Sequence, residues 1–579
     1  MSSIAHDDAT GRPTLPDARP VSESAVILAL SVIVLVGAAL RIFRLDSVPP
    51  AINQDEAIHA YDAWCLLQTG RDHDGASWPI FFRAFGDYHP APFVYLLIPF
   101  QAVMGLGVWS ARLPAALMGV LALPLAFLLV RKRYGAVAGL ATAALLAISP
   151  WHLHLNRLAL EAGICPTLIL AGLVALDAAN PTRCDDRGAL SARRLGWLLL
   201  SGILLGLCTW TYHAMRVFVP LLLFGIIVIY CRSILESAAR PAGRFNLIVW
   251  AGGFLIGLLP FLVAWVVAPQ QVWARATSVS NFDESGGLAG IVRGMLVHYL
   301  RHFSPDFLFR RGDPSMIQSV PDFGQLYLTY LLLVPIGLWQ VLRESRADRF
   351  GRLLLWWMLI GPMPSALSYW PGGHSLRSVG SLPVYDIFAA IGLCRLFSMP
   401  FGRVRRVAVG LATLCTLGVT VQSGYFLHRF FVDYPVRAAA AFESEWRDVF
   451  AAAQARQAEY DFVLFTTHRS NQPGALYLFW TRMDPAACQA AQRVCEPFGI
   501  VDRIVQIDRV VFQPSENLKA LTAVPGVSAR VLAAERPEIP VDGKVLQRFN
   551  YPDGREAMIL YEVRIGEAGG ASDDATEAK

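Results

Sequence analysis

Charge is what this sequence has least of. Only 16% of its 579 residues are Asp, Glu, Lys or Arg, while 54% are hydrophobic; globular domains carry about a quarter charged residues. With a mean hydropathy of +0.43, that composition excludes an ordinary soluble protein. The formal net charge is +5, and no block of Lys or Arg stands outside the short loops between apolar runs. That excludes a nucleic-acid partner. Cysteine spacing of the zinc-binding kind is also missing. Of nine cysteines, Cys165, Cys208, Cys231, Cys394 and Cys415 lie inside apolar runs as small buried hydrophobes. Cys488 and Cys495 flank a short segment in a polar region, where a disulfide is open. No repeat of solenoid period occurs.

What the sequence has instead is long apolar runs. A membrane span needs about 20 such residues. Spans are expected near 25–45, 109–130, 136–150, 162–178, 197–213, 217–231, 246–268, 323–342, 353–369, 380–397 and 407–427, about eleven transmembrane helices in all. Residues 1–24 and 566–579 are polar and expected to be disordered. Ala25 to Leu40 has the look of a signal-peptide core, but the many spans behind it make it an uncleaved first helix.

The loops set the orientation. With residues 1–24 cytoplasmic, the loops on that side carry Arg131, Lys132 and Arg133; Arg183, Arg187, Arg193 and Arg194; Arg232, Arg240 and Arg244; Arg343, Arg346, Arg349 and Arg352; and Arg403, Arg405 and Arg406. This is the positive-inside pattern of a multi-pass membrane protein. The 46–108 loop, the 269–322 loop and everything after about 430 then face outward. Ala57 to Thr69 has helical spacing closed by Gly70, and Pro92 to Met104 is apolar but too short to span; both read as interfacial helices. Residues 431–565 read as a small extracytoplasmic α/β domain following a 25–430 membrane domain. It has a helix over Ala438–Glu459, strands over Phe462–Thr466, Arg503–Ile507, Lys544–Phe549 and Ala557–Val563, and a hairpin turn at Asn550–Arg555.

The polar residues of the outward face are the candidates for chemistry. Asp55 and Glu56 follow the first span directly, with His59 and Tyr61 one turn further on. Carboxylates at a membrane face are costly and mark function, although Asp55 could also cap the helix that follows. The same loop holds Arg83, Tyr88 and His89. Later outward ends add Arg157, Tyr212, His213, Arg216, His302, Asp313, His374 and Arg377. Arg and His gathering there, against the charge rule, fits an anionic group held at the interface. A lipid-linked phosphate is the natural one, because Arg makes bidentate phosphate contacts.

Asn53-Gln54-Asp55-Glu56 after the first span, Phe85-Gly86-Asp87-Tyr88-His89-Pro90, and Arg112-Leu113-Pro114 entering the next span resemble the polyprenyl-phosphate-dependent glycosyltransferases of GT-C fold. That family includes bacterial aminoarabinose (lipid A) transferases and protein O-mannosyltransferases. Ser149-Pro150-Trp151-His152, His302-Phe303-Ser304-Pro305, Gly312-Asp313 and Tyr434-Pro435-Val436-Arg437 support the resemblance.

The resemblance implies a GT-C-like fold in a bacterial inner membrane. It also implies a polyprenyl-phosphate sugar donor, a lipid, glycan or protein acceptor, and no nucleotide or essential metal. Asp55 takes the place of the catalytic carboxylate and Glu56 of the second acid. Arg83, His89, Arg157, Arg216 and Arg377 are then donor-phosphate contacts. His59, Tyr61, Tyr88, Tyr212, His213, His302, Asp313 and His374 are acceptor or loop-ordering residues. Two departures stand out. His89 occupies a position where many members have Lys, and Ile58-His59 replaces the Arg-Tyr of aminoarabinose transferases. The sugar and the acceptor are therefore open. The competing reading is a transporter or lipid flippase, which expects mid-span charges and matching halves; neither occurs here.

Overall fold

The computed structural model of the chain describes residues 22–180, 190–273, 287–345, 348–368, 370, 372–399, 403–498, 501–516 and 528–565. The expected polar ends (1–21 and 566–579), Arg183, Arg187, Arg346 and residues 274–286 of the second outer loop lie outside these. Contacts divide the chain into two compact units. One comprises Met1–Leu45, Pro90–Leu96 and Arg112–Tyr434; the other comprises Asp46–His89, Leu97–Ala111 and Pro435–Lys579. Most of the first outer loop belongs to the same compact unit as the C-terminal region from Pro435 onward.

The first unit is helical. Its helices are α1 (Glu23–Ile42), α4 (Val108–Ile148, which follows α2, Gln54–Thr69, and α3, Ala91–Met104, of the first loop), α5 (Pro150–Leu155), α6 (Cys165–Ala179), α7 (Ala192–Thr211), α8 (Met215–Ala238), α9 (Pro241–Val267), α10 (Gly287–Arg301), α11 (Tyr330–Glu344), α12 (Arg349–Ile360), α13 (Met363–Ala366), α14 (Val384–Phe397) and α15 (Arg403–His428). Among the described residues, eight helical stretches are long and apolar enough to cross a membrane.

One of the eight holds two of the expected spans. At Gly135 the backbone of α4 takes φ 86° and ψ 168°. Phe127 packs with Ala143, and its carbonyl comes within 2.9 Å of where a Cβ on Gly139 would stand. Residues so far apart along one straight helix would be about 18–24 Å apart, so α4 is a hairpin that reverses at Gly135. The expected spans 323–342 and 353–369 are α11 and α12, with 15 and 12 residues. Each is short for a hydrocarbon core of about 30 Å.

Small residues let these helices approach closely. Gly202 and Gly206 of α7 face Gly253 and Gly257 of α9, each lying against backbone atoms of the other helix. This is reciprocal small-xxx-small packing, which works where the apolar solvent gives no drive to associate.

The second unit holds α2 (Gln54–Thr69), the hairpin β1–β2 (Phe81–Ala84, Asp87–Pro90) and the C-terminal half of α3 (Ala91–Met104). It also holds α16–α19 (Tyr434–Arg437, Trp446–Gln454, Pro473–Trp480, Pro485–Ala490) and strands β3 (Phe462–Phe465), β4 (Arg493–Phe498), β5 (Val501–Ile507), β6 (Val510–Phe512), β7 (Ala529–Glu535), β8 (Lys544–Asn550) and β9 (Glu556–Ile565). The sheet order is β4-β5-β6-β3-β7-β9-β8. β3 runs parallel to β6 and β7, and the other pairs are antiparallel. An aromatic cluster fills the core under β3: Trp446 stacks on Phe450 at 4.7 Å, and Phe465 meets Phe450, Tyr477 and Phe512.

Two expectations change here. The helix expected over Ala438–Glu459 is α17 alone, because Glu443 sits at φ 50° in the left-handed region, which a helix does not accept. The thiols of Cys488 and Cys495 are free. Cys488 is buried in α19 while Cys495 is exposed on β4.

Candidate functional site

The acidic pair opens α2. Asn53 is the N-cap: its Oδ1 accepts the N–H groups of Asp55 at 2.9 Å and Glu56 at 3.1 Å. Glu56 Oε2 returns the favour, accepting the Asn53 N–H at 3.1 Å and Asn53 Nδ2 at 3.0 Å. This is a complete capping box. Capping therefore belongs to Asn53 and the fully buried Glu56, not to Asp55. Asp55 stands half-buried in the first turn, at the positive end of the helix dipole. Gly70 at φ 71° closes the other end of α2, as expected.

One turn into α2, His59 meets His89 of β2, with Nε2 and Nδ1 3.3 Å apart and the rings edge to face. One nitrogen donates and the other accepts, so double protonation would break the contact. The pair supplies two imidazoles of the type a metal or a phosphate takes. The hairpin carrying His89 turns at Phe85 and Gly86, with φ 60° and 72°, both positive as a type I′ turn requires. Asp502 N–H of β5 donates to the Phe85 carbonyl at 2.7 Å. Arg83 points to Asp502 at 3.5 Å with its side chain more than half exposed. Tyr88 is half-buried on the same strand.

Tyr61 is fully buried, and its hydroxyl donates to the Met483 carbonyl at 3.0 Å. Burial, with the Cys488 and Cys65 thiols beside it, pushes its pKa far up. Tyr61 thus pins α2 to the C-terminal domain, the loop-ordering half of its expected role. Nearby, the His73 Nδ1–H donates to Asp62 at 2.6 Å, Asp74 lies 3.7 Å away, and Arg493 reaches Asp74 at 3.0 Å.

In the first unit, the connector before α14 collects His374 and Arg377. The His374 N–H donates to His302 Nε2 at 3.0 Å, while His302 Nδ1 donates to the His298 carbonyl at 2.8 Å. His302 is thereby fixed as a neutral tautomer, and burial lowers its pKa to about 4. It orders the loop and carries no charge to a phosphate. Asp313 accepts from Ser315 N–H at 2.9 Å and Ser375 N–H at 2.7 Å, and His374 Nδ1 is 3.6 Å away. Burial raises its pKa to about 6 against those donors.

Trp151 donates its indole N–H to the Ser375 carbonyl at 3.1 Å, and Trp357 donates to that of Gly380 at 2.6 Å. Arg377 is carried on this braced segment, and its Nη1 donates to Ser368 Oγ at 2.6 Å. Ser368, Trp370 and Ser375 escaped the sequence reading. Their signal was the turn-rich Pro371-Gly372-Gly373 beside His374.

Two expected phosphate contacts have other partners. Arg157 is fully buried, and its guanidinium donates to the carbonyls of Leu40, Phe43 and Arg44 at 2.7, 2.8 and 3.0 Å. It also packs on the rings of Phe430 and Phe431. It closes the C-terminus of α1, a structural duty the sequence did not suggest. Arg216 donates to the Val272 carbonyl at 2.8 Å and lies over Phe261. Tyr212, in extended conformation, and His213 form the expected break between α7 and α8.

No curated relative matches the chain by sequence. Residues 88–265 match the family described as dolichyl-phosphate-mannose-protein mannosyltransferase. Among solved structures, ArnT from Cupriavidus metallidurans bound to undecaprenyl phosphate superposes with a TM-score of 0.52 at 16% identity, over 94% of this chain and 98% of that one. Its apo state gives 0.51 at 15% identity, over 93% and 98%. A looser likeness, 0.48 at 14% identity over 79% of this chain and 63% of that one, is to the oligosaccharyltransferase AglB from Archaeoglobus fulgidus. The chain is a multi-pass helical protein of GT-C fold with a C-terminal sheet domain, and it resembles the polyprenyl-phosphate-dependent glycosyltransferases.

Proposed function

We propose that the protein is a membrane glycosyltransferase that moves a hexose or pentose from a polyprenyl-phosphate carrier to an acceptor on the extracytoplasmic face. The acceptor is a lipid, glycan or protein bearing a hydroxyl or phosphate. For a hydroxyl acceptor, Asp55 takes the hydroxyl proton as the acceptor's hydroxyl oxygen bonds to the sugar's anomeric carbon. The bond from that carbon to the phosphate oxygen breaks, and the phosphate leaves with the electron pair. Charge builds on the leaving phosphate, and Arg377 on its braced segment is the cation assigned to it. His89 and Arg83 are further candidates for donor-phosphate contacts. His59 and Tyr88 serve the acceptor. The donor type rests on the family matched by residues 88–265 and on the ArnT fold. The basic loops argue for a cytoplasmic N-terminus, and the resemblance implies a bacterial inner membrane.

The observation that carries the role of Asp55 is the capping box: Asn53 and Glu56 do the structural work at the start of α2. The test uses membranes holding wild type or Asp55→Asn, supplied with labelled polyprenyl-phosphate hexoses and pentoses. Loss of a general base costs roughly 10²–10⁴-fold in rate, so label transfer is expected to vanish with expression intact. Equal transfer by both proteins removes Asp55 from the mechanism. Movement of label across the membrane without a covalent product replaces the transferase reading by a flippase.

A further inference from the structure

Trp370 stands among His374, Arg377 and Arg301. Its ring centroid lies 4.6 Å from that of His374, tilted by 42°. The Arg377 guanidinium carbon lies 5.9 Å over the same ring. The Trp370 carbonyl accepts from Arg301 Nη1 at 3.3 Å.

An arginine side chain has several rotatable bonds and loses much rotamer freedom when it must meet an anion. Here the guanidinium is held from two sides. Ser368 Oγ takes one N–H at 2.6 Å, and the electron-rich face of the indole takes the plane. Arg301 ends α10, where the negative end of the helix dipole favours a cation. Its bond to the Trp370 backbone ties that second cation to the same residue.

We propose that Trp370 is a positioning residue that pre-sets Arg377 for the phosphate of the lipid-linked donor. The proposal rests on the donor role given to Arg377 above. Trp370 acts through the guanidinium and takes no part in bond making. The indole face matters and the indole N–H does not, so phenylalanine serves and alanine does not.

The probe is undecaprenyl phosphate, bound to the full-length protein in lipid nanodiscs, with undecaprenol as the phosphate-free control. The variants are Trp370→Ala, Trp370→Phe, Arg377→Ala and the Trp370→Ala/Arg377→Ala double variant. Each is checked by thermal unfolding. Loss of a partly desolvated cation–π contact corresponds to roughly 3- to 30-fold in affinity. That weakening is expected for Trp370→Ala. Trp370→Phe stays within about threefold of wild type, and Trp370→Ala adds little once Arg377 is gone. Undecaprenol binding stays unchanged throughout.

Equal weakening by Trp370→Phe and Trp370→Ala overturns the proposal, as does a Trp370→Ala effect of the same size in the Arg377→Ala background. Trp370→Ala with wild-type affinity, alongside weak Arg377→Ala, overturns the positioning role and leaves the donor role of Arg377 standing. Arg377→Ala with wild-type affinity removes the donor role first and the proposal with it.

Discussion

Asn53 and Glu56 hold each other at the mouth of α2: the amide oxygen of one takes the backbone N–H of the other, and the carboxylate returns the contact. Asn53→Ala removes the cap oxygen and Glu56→Ala removes the returning carboxylate, so each breaks one half of the box. Asn53→Ala is expected to cost about 1 kcal/mol of stability. Glu56→Ala costs more, because it also leaves the buried Asn53 amide without its acceptor. Chemical denaturation checks both, and Glu56→Gln should recover part of the loss. Equal stability of Glu56→Ala and wild type would mean that the box does not hold the helix.

Arg157 gives the opposite kind of prediction. Arg157→Ala strands the three carbonyls that end α1 and opens a void beside Phe430 and Phe431, so a loss of about 3–5 kcal/mol is expected. The variant should express poorly and melt early. Whatever folded fraction remains should bind undecaprenyl phosphate as wild type does. A variant that melts normally but loses the lipid would restore Arg157 to the phosphate site.

The His73–Asp62 pair predicts a pH dependence. Burial alone would lower the His73 pKa, but the Asp62 carboxylate, with help from Asp74, outweighs it and lifts the pKa to about 9. The folded pKa is above the unfolded value near 6.5. Its contribution is therefore complete below about pH 6.5 and is lost as pH rises toward 9. Melting temperature followed from pH 6 to 9.5 should fall more steeply for wild type than for His73→Asn. Parallel curves would show that the pair is not ionised as drawn.

In the sheet domain, Arg536 donates to Glu445 at 2.6 Å, to the Tyr551 hydroxyl at 3.0 Å and to the Ala557 carbonyl at 3.1 Å, all in the interior. Arg536→Ala leaves the Glu445 carboxylate buried without its cation, at a cost of about 3–5 kcal/mol. The double variant Arg536→Met/Glu445→Leu should recover much of that, because two apolar side chains need no partner. Limited proteolysis of the C-terminal domain distinguishes the two.

Most of the helical framework was legible in the sequence because lipid as solvent imposes one rule, a long apolar run for each crossing. The reversal of α4 illustrates this: Arg131-Lys132-Arg133 interrupts the apolar run between residues 109–130 and 136–150. The capped start of α2 was legible too, although the letters Asp-Glu alone favoured the wrong capping residue. Strand β7 was hidden because it is buried on both faces and reads Ala-Arg-Val-Leu-Ala-Ala-Glu, without the alternation of a one-sided strand. The duty of Arg157 was hidden for a different reason. Its partners are backbone carbonyls more than a hundred positions away, and backbone leaves no trace in residue identity.

That same arginine bears on how the protein is made. Arg157 emerges from the ribosome more than a hundred residues after the first helix has entered the membrane. Until it arrives, the last carbonyls of α1 wait for their donor, and the chain leading into the acidic stretch is not anchored at its root. The end of α1 is tied down only after the α4 hairpin has been threaded and α5 laid down, which sets an order of assembly that insertion machinery must respect.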